Sequence, residues 1–86
     1  MKYKLSLHAR LEMERRGISL DLLEQLLRHP QQIVAETRGR QAYQSIIDFG
    51  SGKKFLVRAI VADENDPLVV ITVYRTSKIH KYWRMP

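Results

Sequence analysis

The chain has no cysteine, which removes disulfides, thiolate nucleophiles and cysteine-type zinc sites together. No apolar run approaches the roughly 20 residues that span a bilayer, and Met1 to Leu7 lacks the apolar stretch of a secretory signal. No membrane partner is expected, and the protein is expected in the cytoplasm. Acid is missing from the end of the chain. Residues 68–86 carry four Lys or Arg and no Asp or Glu, against six and four in residues 1–30 and five and five in residues 31–67. The formal net charge of +6 is therefore weighted to the C-terminus, a property that bears on partners and solubility and not directly on fold.

What is present is enough for one core and too little for two: 86 residues, 44% hydrophobic and 28% charged, the make-up of a globular domain and not of a disordered segment. Residues 6–16 read as a helix, with Ser6 as N-cap, Leu7 and Leu11 one turn apart, Ala9 and Met13 likewise, and Gly17 placed for a left-handed stop. Ser19 offers a second N-cap with Asp21 in the first turn. Leu20, Leu23 and Leu27 form one apolar row and Leu22 and Leu26 a neighbouring one. That helix should stop at His29, because Pro30 disfavours helical geometry before it.

Beyond Pro30 the period changes to that of strands. Expected strands are Gln32 to Glu36, Gln41 to Phe49, Lys54 to Ala62 and Leu68 to Arg75, the last placed in the sheet centre for its β-branched content. Turns fall at Arg38 to Arg40, Gly50 to Gly52 and Asp63 to Pro67, and a closing helix capped by Thr76 or Ser77 runs through Trp83. The expected fold class is α+β: two N-terminal helices packed on one face of a three- to four-stranded antiparallel sheet, with a C-terminal helix.

Three groups of residues invite a functional reading. If residues 77–84 are helical, Ile79, Tyr82 and Trp83 fall on one side while Lys78, Lys81 and Arg84 fan over the other. Such cations neutralise phosphates by releasing counterions, and exposed aromatics stack on unpaired bases; the same residues also read as core and solvated rim. His8, with Arg10 near it and Arg15 and Arg16 at the helix end, has the chemistry of a general acid or base, and neighbouring cations favour its neutral form. A lone helical histidine is equally read as structural. Arg58 interrupts a strand that is apolar on both faces, so its charge must be half buried, paired with Asp48 or Glu36, or aimed into a cleft. Arg75 ends the next strand, beside the phenol of Tyr74. His8, His29 and His80 show no metal-ligand spacing, and no phosphate-cradling glycine loop or nucleophile elbow is present. No metal or other cofactor is expected.

His8-Ala9, then Met13-Glu14-Arg15-Arg16-Gly17-Ile18-Ser19, then the leucine-rich helix ending at Pro30, resemble the domain-of-unknown-function family 4258, as does Val70-Ile71-Thr72-Val73-Tyr74-Arg75. That family is grouped near the RelE/ParE-like and BrnT-type toxins, which resemble compact ribonucleases and are commonly held inactive by an antitoxin. The resemblance implies a single RelE-like domain over residues 1–86, the endoribonuclease toxin of a toxin–antitoxin pair or a relic of one. It places His8 and Arg16 at family positions and Glu12 where an arginine is expected, a change that weakens phosphate binding there.

With the resemblance, the expected function is a metal-independent endoribonuclease. His8, Arg16, Arg58 and Tyr74 are the catalytic candidates, and Arg75, Lys78, Lys81, Tyr82 and Arg84 the candidates for RNA contact. RNA, on or off the ribosome, and an acidic antitoxin protein are the expected partners, with room for a homodimer. The alternatives are a non-catalytic module that binds nucleic acid or protein through the basic closing helix, and a ParE-like topoisomerase inhibitor.

Overall fold

The computed structural model describes residues 1–85. Two helices, α1 (Leu7–Arg16) and α2 (Leu20–Arg28), precede four strands, β2 (Gln32–Ala35), β3 (Gln41–Asp48), β4 (Lys54–Ala62) and β5 (Leu68–Thr76), and a single closing turn of helix, α3 (Ile79–Tyr82). A short strand, β1 (Tyr3–Leu5), comes before all of them.

Local chemistry sets both helix starts. The Ser6 hydroxyl accepts the Ala9 N–H at 3.0 Å and donates to the Ile71 carbonyl at 2.8 Å, so one side chain caps α1 and ties it to β5. The Ser19 hydroxyl accepts the Leu22 N–H at 3.1 Å. Gly17 ends α1 at φ 64°, ψ 39°, where a side chain would be strained. Ser6→Ala removes cap and tether together and is expected to cost about 1 to 2 kcal/mol, read in thermal unfolding as a fall of about 5 to 10 °C in Tm. An unchanged Tm would mean that neither contact contributes.

The sheet has the order β1-β5-β4-β3-β2. β2 to β5 form an antiparallel meander and β1 adds to β5 in parallel, Lys4 opposite Val69. Five strands therefore replace the expected three or four. The central strand is β4, not β5; the β-branched content of β5 reflects a strand with neighbours on both sides, which two strands of this sheet share with it. α1 lies against β5 and α2 against β3 and β4. Ala9, Met13, Ile18, Leu23, Leu26 and Leu27 meet Val57, Ala59, Val61, Val70 and Val73 to make the core. Of the expected helix rows, Ala9 and Met13 are buried while Leu7 and Leu11 face solvent, and Leu20 is 55% exposed.

The end of the chain departs most from expectation. The helix anticipated through Trp83 is one turn, with Trp83 already extended at φ −69°, ψ 129°. Neither Thr76 nor Ser77 caps it in the ordinary way: the Thr76 hydroxyl accepts the Lys78 N–H at 3.0 Å, and the N-cap residue, Lys78, contributes no side-chain bond. The segment beyond this turn is held by a distant strand. The Gln32 side chain donates to the Arg84 carbonyl at 2.6 Å and accepts the Arg84 N–H at 3.1 Å, imitating a neighbouring strand. Residues 79–85 thus form a strap along β2, on the sheet face opposite α1 and α2.

Candidate functional site

Alternation along β4 decides what the strap covers. Val57, Ala59 and Val61 point into the helix-covered core, so Arg58 between them points to the other face. Strand register then builds a row: Gln32 pairs with Gln44, Gln44 with Arg58, and Arg58 with Tyr74, across β2, β3, β4 and β5. Glu36, just past β2, reaches into the same row.

Every arm of the Arg58 guanidinium is engaged. Nε donates to the Gln44 amide oxygen at 2.8 Å, Nη1 to the Tyr74 hydroxyl at 2.7 Å and Nη2 to a Glu36 carboxylate oxygen at 2.9 Å. The Tyr82 ring lies over it, centroid 4.2 Å from Cζ, and the Tyr74 and Tyr82 rings meet edge to face at 6.3 Å. Arg58 is 2% exposed, whereas the Glu36 side chain keeps 33% of its surface in solvent. Gln44 is fully buried and closes the network, its Nε2 donating to the Gln32 amide oxygen at 2.8 Å and to the Tyr82 carbonyl at 3.2 Å. A buried charge is tolerable only when paired and hydrogen-bonded in this way. Of the two partners anticipated for Arg58, Glu36 pairs with it; the Asp48 carboxylate instead accepts the Gly50 N–H at 2.7 Å.

The two phenols are pushed in opposite directions. Burial raises Tyr74 above the ordinary tyrosine value against the pull of Arg58, and Tyr82 adds to the rise. Tyr82 is lowered, first by the Tyr74 phenol beside it and then by Lys81. Tyr43 and Tyr3 are also raised, in both cases by burial first, with Asp63 and Glu24 respectively adding to it. Groups whose folded values are raised keep their protons in the native state after the unfolded chain has begun to lose them, so stability falls as pH climbs through and beyond about 10. Tyr82 opposes with the reverse sign. With three phenols against one, denaturant midpoints are expected to be lower at pH 11 than at pH 8. A midpoint that rises over that interval would contradict these environments.

The remaining expected residues lie elsewhere. His8 is exposed on α1, on the helix side of the sheet. Arg16, on the same helix, is occupied by Glu12, which takes Arg15 at 2.8 Å and Arg16 at 3.4 Å. Burial pushes the Glu12 carboxyl upward, but the two arginines outweigh it and leave it below the usual carboxylate value. The structure therefore brings Arg58, Tyr74 and Tyr82 together and sets His8 and Arg16 apart from them. Arg75 shares the helix-side face, stacked on Phe49 and Phe55 with Cζ 4.2 and 4.8 Å from the ring centroids. Lys81 and Arg84 are exposed on the strap and Lys78 just before it, Lys81 within 5.3 Å of the Tyr82 centroid.

Gln32 and Gln44 do not stand out in the sequence. Gln32 opens β2 and Gln44 sits among Gln41, Tyr43 and Ser45 in β3, so neither is marked out by an apolar neighbourhood. Among the described residues no three His, Asp or Glu side chains form a group able to hold a metal ion, and no helix is long and apolar enough to cross a membrane.

The chain belongs to the family described as Domain of unknown function (DUF4258), whose model matches residues 5–75. No curated protein and no solved structure matches it.

Proposed function

We propose that this DUF4258 member is a RelE/ParE-like, metal-independent endoribonuclease, the toxin of a toxin–antitoxin pair, with its reaction centre at Arg58. The observation that carries the reading is the arrangement around one guanidinium: a carboxylate on Nη2, a phenol on Nη1 and a second phenol across its face. Cleavage of RNA at its own 2′-hydroxyl needs a base, an acid and a positive charge, and this cluster contains all three.

In this reading the Glu36 carboxylate takes the 2′-hydroxyl proton and O2′ attacks phosphorus. The bond from phosphorus to O5′ breaks, and the Tyr74 phenol gives its proton to the departing O5′. The products are a 2′,3′-cyclic phosphate and a 5′-hydroxyl. Arg58 donates to the non-bridging oxygens, where charge gathers in the transition state. Its raised value keeps Tyr74 protonated at neutral pH, as an acid must be. Because Tyr82 covers Arg58, substrate reaches the guanidinium when the strap lifts, and the glutamine contacts to Tyr82 and Arg84 hold it down. The basic surface suits inhibition by an acidic antitoxin segment lying over this face.

The test is incubation of the purified chain with single-stranded RNA in chelator, beside the same oligonucleotide with 2′-deoxyribose throughout. Cleavage of the RNA to cyclic-phosphate ends, with the deoxy strand intact, supports the proposal. Binding of both without cleavage of either would instead support the non-catalytic reading, in which Arg58 serves only to seat the strap.

A further inference from the structure

The ends of the sheet differ in charge. At one end, the turn between β4 and β5 carries Asp63, Glu64 and Asp66. At the other, strand register collects cations. Leu56 pairs with Thr76, so the start of β4 and the end of β5 share one rim, which brings Lys53 and Lys54 to the same edge as Arg75 and Lys78. Asp48 is the acid opposite Lys54, but its carboxylate is engaged by the Gly50 N–H, and no ion pair joins it to a lysine among the described residues. Four cations against one carboxylate leave this rim net positive, which favours a polyanionic partner.

Arg75 gives the rim a fixed element. Its guanidinium is stacked on Phe49 and Phe55, themselves edge to face at 5.6 Å, and among the described residues it forms no ion pair. Stacking holds the fork in place and leaves N–H donors free for a phosphate, which a guanidinium binds in bidentate fashion. Even-numbered Lys54 starts on the Arg58 side of β4, while Arg75 lies on the helix side, so the cations pass around the rim from one face to the other.

We infer that Lys53, Lys54, Arg75 and Lys78 form a track for the backbone of single-stranded RNA, carrying the strand around the sheet rim beside the Arg58 centre. The inference rests on the RNA reading for its ligand. It adds Lys53 and Lys54, which sequence did not single out, and a path. Electrostatic binding of this kind needs no base contacts and falls steeply with salt.

The test uses a fluorescent 2′-O-methylated RNA of about 12 nucleotides, which cannot be cleaved, so that binding is measured whether or not the chain is a nuclease. Lys53→Glu/Lys54→Glu is compared with Lys2→Glu/Lys4→Glu, which changes net charge equally but alters Lys4 on β1, beside the acidic turn. The rim variant is expected to bind about tenfold more weakly or worse. Its slope of log affinity against log salt should be shallower by about 1.4, two single-strand phosphate contacts at about 0.7 each. The control should stay within about twofold of wild type. Equal losses in both variants would reduce the effect to net charge and overturn the track. So would an acidic oligoglutamate that binds with the same rim dependence while the RNA does not. Cleavage that persists without rim dependence would overturn the track alone, and rim-dependent binding without cleavage would overturn the chemistry alone.

Discussion

Replacing Arg58 by alanine is expected to lower the free energy of unfolding by about 3 to 5 kcal/mol, the cost of breaking a buried, hydrogen-bonded ion pair from one side. The change strands three acceptors at once: the Gln44 amide oxygen, the Tyr74 hydroxyl and the Glu36 carboxylate. It also takes the cation from beneath the Tyr82 ring. At about 0.05 to 0.15 kcal/mol per residue, a chain of this length has roughly 4 to 13 kcal/mol in total, so the variant should be marginal at 37 °C. Urea unfolding monitored by circular dichroism measures the difference. A loss under about 1 kcal/mol would show that the network is dispensable and that the strap is held by the Gln32 contacts to Arg84 without it.

Tyr74→Phe separates chemistry from architecture. The ring remains, with its edge-to-face contact to Tyr82, and only the hydroxyl 2.7 Å from Arg58 is lost. Leaving one guanidinium donor unmatched costs about 1 to 3 kcal/mol of stability, which a chain with both flanking partners intact should survive. Loss of the general acid should lower RNA cleavage by about 100- to 10,000-fold. On the proposed mechanism, affinity for the uncleavable 2′-O-methyl RNA should change little, because the phenol would act on the leaving oxygen and not on the backbone charge. If cleavage and binding fall together, Tyr74 positions the strap and donates no proton.

The parts of this fold legible in sequence are those that local chemistry fixes. Ser6, Gly17, Ser19 and Pro30 bound two helices with their own side chains and dihedral preferences, and the structure keeps those bounds within a residue. β1 could not be read this way: three residues carry no period, and its partner lies more than 60 positions away. The closing segment failed for a related reason. Its apolar and basic positions fit a helix, but the Gln32 amide grips the backbone at Arg84, and a contact between residues 52 apart outweighs weak local propensity.

The candidate site divides along the same line. Arg58 stands out because a charge within an apolar strand must have partners, and Glu36 is one of the two that the sequence offers. The row from Gln32 through Gln44 and Arg58 to Tyr74 exists only once four strands are in register. Chemistry alone groups His8 and Arg16 with Arg58 and Arg75. Which side of a sheet a residue occupies depends on register and on helix placement, and sequence spacing does not carry that across elements.

The central claim is that the chemistry resides at Arg58, beneath the strap, and not on α1. The most direct test runs His8→Ala and Tyr74→Phe beside wild type in one RNA cleavage assay, with thermal melts confirming that both are folded. Chemistry at Arg58 predicts wild-type cleavage in His8→Ala and a loss of at least about 100-fold in Tyr74→Phe. Loss in His8→Ala with full activity in Tyr74→Phe would contradict that claim and move the reaction to the helix face.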